Sequence, residues 1–225
     1  MIDPGISFVK RLFATYTPDT MSTPAPFLFV GNHPALDFVN TEIVEVGAPR
    51  DLLTGLPDLV RWLEQAGMLE AGMAASALAR WRGTRTGETV LARARELRTA
   101  LRRAADAVAA GRPLPRASVE AINALLARGT GVNRVVSGAG GYVVRRTFRL
   151  EAPADLLVPV AEAAADLLCH ADLRRVRRCA HPQCVLYFLD GTKNGTRRWC
   201  DMRGCGNRVN AAAYYRRRRA QPAAP

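Results

Sequence analysis

The chain has 225 residues, 48% hydrophobic and 23% charged, enough for one medium domain or a domain plus a small module. Its 32 Lys+Arg oppose 20 Asp+Glu, and the formal net charge of +12 favours a polyanion, an acidic protein or an anionic surface as partner. No stretch reaches the roughly 20 apolar residues of a membrane span, and an N-terminus with Asp3 ahead of its first basic residue and only a short apolar run is not a secretory signal.

Met21 opens a more typical protein start, so residues 1–20 are read as an upstream extension and are expected to be poorly ordered. After a Thr/Pro-rich stretch, FLFVG (27–31) and ALDFVNTEIVEV (35–46) predict two short strands, with Asn32, His33 and Pro34 as the turn between them. Asn32, His33, Asp37 and Asn40 cluster around that turn. They are candidates to line a small-molecule site, against the alternative of turn formation and buried hydrogen bonding. Leu59, Trp62, Leu63 and Ala66 at helical spacing, between Pro57 and Gly67, predict a helix over 57–66.

Two further helices follow. GETVLARARELRTALRRAADAVAAG (87–111) places Val90, Leu91, Ala94, Leu97, Leu101, Ala104 and Val108 on one side and stops at Gly111. Arg93, Arg95, Arg98, Arg102 and Arg103 are read as its solvated face. ASVEAINALLARG (117–129) carries a capping signal at Ser118 and ends at Gly129. RVVSGAGGYVVRRTFRL (134–150) predicts a hairpin, and a long helix is expected from Asp155 to Asp172 with Pro159 in its first turn. Mixed helices and hairpins predict an α+β domain over residues 21–172.

The charge lies almost entirely beyond that domain. Between Arg174 and Arg219 there are 13 Lys+Arg and 2 Asp+Glu, a net of +11, and everything else nets +1. The same segment holds the pattern Cys179-x4-Cys184-x15-Cys200-x4-Cys205. Two close pairs about 15 residues apart suit a tetrahedral Zn²⁺, because each pair forms a knuckle and the intervening segment folds them together. In an intracellular chain clustered cysteines are more often metal ligands than disulfides. Four thiolates would make the site closed and structural. His181, inside the first knuckle, is an alternative ligand, while Cys169 is expected to be a small buried residue and His170 structural.

Residues 173–219 carry few large apolar side chains, and segments this small usually need a metal or disulfides to fold alone. VLYFLDGTKNGTRRW (185–199) predicts a hairpin around the DGTKNG turn, with a return strand ending at Trp199 packed beside the metal. A helix is expected from Asn207. Knuckle, hairpin and metal-launched helix make this a small treble-clef-like zinc finger, with residues 220–225 as a tail. A Zn²⁺ with four thiolates carries a formal charge of −2 and accounts for one or two of Arg197, Arg198, Arg203 and Arg208. Arg208, however, falls in that helix's first turn, where the dipole disfavours a cation, so a compensating anion is expected outside the helix. A phosphate backbone supplies one. Lys193, Arg197, Arg198, Arg203, Asn207, Arg208, Asn210, Arg216, Arg217, Arg218 and Arg219 are the candidate nucleic-acid contacts.

FLD…RRWCDMRGCGNR resembles the CGNR zinc finger of bacterial proteins that carry an N-terminal ABATE domain and are associated with stress-induced transcription regulation. HPALDFVNT (33–41), DLL (51–53) and WLEQAGML (62–69) are similar to the signature of that domain. The resemblance implies zinc held by Cys179, Cys184, Cys200 and Cys205, and duplex DNA bound by the finger's arginines. One departure is Val209-Asn210, where family members often carry a lysine. A small-molecule effector, a homodimer, RNA gripped with Tyr214 or Tyr215 stacking, and an acidic protein partner are the other partners considered. No nucleophile–base constellation emerges, so an enzyme is not expected, and the expected location is the cytoplasm, at the nucleoid when DNA is bound.

Overall fold

The structure is a computed structural model describing residues 27–220 apart from residue 139. The extension at 1–20 and the tail beyond Ala220 therefore lie outside the described residues. In chain order the elements are α1 (Pro34–Val39), β1 (Glu42–Glu45), β2 (Ala48–Asp51), α2 (Leu56–Gln65), α3 (Ala71–Trp81), α4 (Arg85–Ala109) and α5 (Arg116–Leu126). There follow β3 (Gly131–Gly138), β4 (Gly141–Phe148), α6 (Val158–His170), β5 (Val176–Arg178), β6 (Tyr187–Leu189) and α7 (Asn207–Ala220). The strands form three antiparallel pairs, β1–β2, β3–β4 and β5–β6. The architecture is α+β, with a helical core and small sheets. No helix among the described residues is long and apolar enough to cross a membrane.

The first expected strand pair is corrected by the structure. Residues 27–31 form no strand, and 34–39 are a helix that buries every one of its side chains. His33 caps it, its ring Nδ1 accepting from the Ala35 amide, and Pro34 occupies the first helical turn. A run buried on all sides has no polar face, so its spacing cannot tell strand from helix. Only Glu42–Glu45 of that segment is a strand, paired with Ala48–Asp51.

Helix α2 starts where Asp58 accepts from the Thr54 and Gly55 amides. It buries Leu59, Val60, Trp62 and Leu63. Helix α4 is capped by Thr84, which accepts from the Gly87 amide. A side chain at Gly87 would meet the Trp81 carbonyl at 2.2 Å, so only glycine lets α3 turn into α4 there. In α5 the expected cap is displaced: Pro115 precedes the first turn, and Ser118, within that turn, donates instead to the Ala100 carbonyl of α4. A short 3₁₀ turn (Pro153–Leu157) leads into α6, which buries its Ala/Val/Leu face. Cys169, expected inside, is exposed in the last turn of α6.

The arginine face of α4 is also corrected. Arg93 and Arg103 are exposed, but Arg98 is buried and Arg95 and Arg102 are half-buried. Arg98 makes a bidentate pair with Asp51 at 2.6 and 2.7 Å and reaches the Thr41 hydroxyl at 3.1 Å. Burial pushes the Asp51 carboxyl up, yet hydrogen bonds from Arg98 and the Leu53 amide, with the Arg98 and Arg95 charges, hold it below its usual value. Arg102 donates to the carbonyls of Val39, Glu42 and Val185. Residues 95, 98 and 102 recur at three and four, so α4 turns one guanidinium stripe onto the loops that bound the C-terminal segment.

Candidate metal centre and its basic surroundings

Strand β6 shows how the C-terminal segment is built. Alternate residues of a strand point to opposite faces, and here Tyr187 enters the main core while Leu186 and Phe188 pack on the cysteines. Its partner strand is β5, in the register Val176↔Leu189, Arg177↔Phe188 and Arg178↔Tyr187. This corrects the expected hairpin: residues 193–199 form no return strand. Asp190, fully buried, instead organises the turn, accepting from the Thr192 amide and hydroxyl and from the Arg197 amide. Burial raises its pKa, but these donors and the nearby Arg177 charge leave it lowered.

The segment is joined to the N-terminal part by backbone-directed bonds. Asn40 donates to the Tyr187 carbonyl and accepts from the Tyr187 amide, both at 2.9 Å. Asn32, at φ 55, donates to the Leu189 carbonyl, and the Leu189 amide donates to Gly31. The Tyr187 hydroxyl bonds Asp106 of α4. Arg197 donates to the carbonyls of Val30, Trp199 and Cys200, and its guanidinium lies 4.2 Å from the Phe188 ring centroid.

Asn32, His33, Asp37 and Asn40 are thus brought together, each with a bond that builds the fold. His33 uses both ring nitrogens, one on the Ala35 amide and one facing Asp166 at 3.3 Å, and Asp37 accepts from the Gly31 amide at 2.7 Å. His170 also faces Asp166, at 3.1 Å, a link across α6 that the spacing of the two histidines in sequence concealed.

The four cysteines converge. The Sγ atoms of Cys179, Cys184, Cys200 and Cys205 all lie within 4.8 Å of one another. Cys184–Cys200 and Cys200–Cys205 are 3.7 and 3.6 Å apart, far beyond a disulfide. A tetrahedron with Zn–S distances of about 2.3 Å has edges of about 3.8 Å, close to these two separations, so the thiols fit Zn²⁺. Without a cation they compete for one negative charge. Hydrogen bonds from Cys184 and Cys200 pull the Cys179 thiol down, Cys179 pushes the Cys184 thiol up to about 12, and Cys200 is raised as well. A divalent cation removes that conflict. Among the described residues no fifth His, Cys, Asp or Glu joins the four thiols, so the site is that of a structural zinc.

The surroundings supply further donors. The Cys200 amide donates to Cys179 Sγ at 3.4 Å, and Arg208 Nη2 to Cys205 Sγ at 3.4 Å. The thiols thus give Arg208, exposed in the first turn of α7, a nearby acceptor, as the charge of a tetrathiolate site led us to expect. The cluster feeds α7 through a π-turn (Met202–Gly206), whose Asp201 accepts from the Gly204 amide. A side chain at Gly206 would meet Met202 Sδ at 2.4 Å and the Trp199 ring at 3.1 Å. Trp199 packs beside the cysteines as expected.

The remaining basic residues project. Lys193, Arg198, Arg203, Arg216, Arg217, Arg218 and Arg219 are exposed, and among the described residues no carboxylate lies within salt-bridge distance of any of them. Asn207 and Asn210 are exposed on α7, where Val209 and Ala213 are half-covered.

The family model described as "Putative stress-induced transcription regulator", ABATE, matches residues 32–171. The chain belongs to the ABATE family. The CGNR zinc finger model matches residues 175–218, so the cysteine cluster and α7 form the CGNR finger behind the ABATE domain. No curated protein matches the chain. Within the ABATE span, HPALDFVNT is α1 with its cap and the turn that leads to β1, and it is the segment that receives the finger.

Proposed function

We propose that the chain is a non-enzymatic transcription regulator that binds duplex DNA through the CGNR finger. The observation that carries this reading is α7. It is 14 residues long, about 21 Å, has no acidic residue, is launched from the cysteine cluster, and ends in four exposed arginines. A helix fixed at one end and cationic at the other suits a DNA groove, with Asn207 and Asn210 near base edges and Arg216–Arg219 on phosphates. Arg197 and Arg208 leave the contact set, since their donors serve the fold and the thiols. If about six phosphates are neutralised, log K on duplex DNA falls with log salt at a slope near −5. A slope near zero overturns the reading.

Exposed Tyr214 and Tyr215 favour a second reading, RNA bound with base stacking. Competition between duplex DNA and RNA at matched salt separates the two.

For the sensing role of the ABATE domain we favour a cavity of about 580 Å³ between β1–β2 and the zinc knuckle over the Asn32–Asn40 cluster, whose polar groups already bond within the fold. Its size suits a small molecule. Its walls include Ile43, Val44 and Val185, while Arg208 brings it against the finger. For the dimerising role, the β3–β4 hairpin exposes Val135, Tyr142, Val143 and Val144. Sedimentation of the chain against a Val144→Lys variant tests it.

A further inference from the structure

A second cationic region lies away from α7, at the seam between the ABATE domain and the finger. It is a concavity of about 830 Å³ between the end of α4 and strand β5. Arg112, Arg174, Arg177, Arg178, Arg197 and Arg198 line it, and no acidic residue does. We propose that this seam is a phosphate-backbone site, so that duplex DNA held by the finger is gripped by the ABATE domain as well. The inference rests on the DNA reading above and extends it from α7 to a surface where Arg112 of the ABATE domain meets arginines of the finger.

Not all six arginines are available. Arg174 pairs with Asp172 at 3.0 Å, Arg177 donates to the Gly195 carbonyl at 3.2 Å, and Arg197 is committed to three carbonyls. Arg112, Arg178 and Arg198 are left. All three are exposed, and among the described residues no carboxylate lies within salt-bridge distance of them. Arg198 is set over the Trp199 ring at 5.1 Å, which limits its freedom before any anion arrives.

The end of α4 attracts one cation through its carbonyls, which accounts for Arg112 alone. It does not account for guanidinium groups brought by three separate segments to one concavity. Val108 and Val176 also line the seam. Apolar walls beside charges of one sign focus the field and make their mutual repulsion costly, and a bound polyanion relieves it. The volume exceeds what one phosphate fills. Ala180, next to the ligand Cys179, borders the seam, so it runs on to the finger.

Arg112 makes the test, because it belongs to the ABATE domain and lies far in sequence from every cysteine. Duplex binding of the zinc-loaded full chain is measured across salt concentrations for wild type, Arg112→Gln, Arg112→Gln/Arg198→Gln, Arg217→Gln/Arg218→Gln, and Arg93→Gln as a control for net charge. Zinc content and the melting midpoint verify folding. One lost phosphate contact lowers the slope by about 0.9 and weakens binding about eightfold at 0.1 M salt. The expected result is that loss for Arg112→Gln, about twice the slope change for the double variant, and none for Arg93→Gln. If Arg112→Gln binds like wild type while Arg217→Gln/Arg218→Gln is weakened, the seam proposal falls and the finger reading stands. If wild type shows no salt-dependent duplex binding, the DNA reading itself falls. A loss confined to structured RNA also overturns the proposal.

Discussion

The ABATE domain and the CGNR finger are held by different forces. The first buries Trp62, Phe38 and a large set of Leu, Val and Ala side chains in one core. The second buries Leu186 and Phe188 with three cysteines and partly covers Trp199. Apolar burial contributes about 25 cal/mol per Å², so the finger has little to set against its chain entropy without a metal. Yet it is no independent module. Val176 and Tyr187 sit in the main core, and five residues of the ABATE segment and α4 (Gly31, Asn32, Asn40, Arg102 and Asp106) bond its backbone or the Tyr187 hydroxyl. Small zinc modules can borrow rigidity from a neighbour on one face and take it from an ion on the other, and β6 carries both faces.

Metal removal breaks that comparison most sharply. A structural zinc is worth on the order of 10–16 kcal/mol. Stripping it with a chelator, or substituting Cys200→Ser, is expected to abolish amide-exchange protection over 179–206 and to leave α4 protected. Protection persisting through 179–206 in metal-free material would show that the ABATE core alone holds the finger.

Asn40→Ala tests the other face. It orphans the buried amide and carbonyl of Tyr187, each costing about 1–3 kcal/mol, so the loss is expected at about 2–6 kcal/mol. A welded finger lowers the melting midpoint of the whole chain. An independent one leaves the ABATE transition where it was.

Arg98→Leu removes a buried partner from Asp51 and is expected to cost about 2–3 kcal/mol, because Asp51 is partly open to water. Urea unfolding with zinc bound measures it, and a change under half a kcal/mol would return α4's stripe to a solvated face.

The two carboxylates give the smallest effect, read as a difference from wild type because acid also protonates the zinc-ligating thiolates in both chains. Asp51 and Asp190 have folded pKa values below the unfolded carboxylate value of about 3.9. Their contribution is therefore complete above that value and is lost as pH falls through the lower, folded one. Melting midpoints between pH 5 and pH 3 should fall less steeply in Asp190→Asn than in wild type. Parallel curves would remove Asp190 as a source of the acid dependence.

Much of this was legible in the residues. Helices α2, α4 and α5, the β3–β4 hairpin and the cysteine pairs could be read because their signals are local: a 3.6-residue period, a glycine turn, a ligand spacing. Helix α3 left a faint trace, since Ala74, Ala77 and Trp81 give little contrast with their alanine-rich neighbours. Helix α1 read as strand because burial on every side erases periodicity.

The zinc ligands, the segregation of charge into the last fifth, and most helices could be read from the residues alone, because each depends on positions close together in the chain. Which arginines are free could be read only from the fold. Arg98, Arg102, Arg197 and Arg208 carry the same charge as Arg112 and Arg198, but their environments differ. The first four meet carboxylates, carbonyls or thiolates supplied partly from distant positions, and the last two meet no carboxylate among the described residues. Whether a guanidinium is structural or available depends on its acceptors, and folding alone brings them to it.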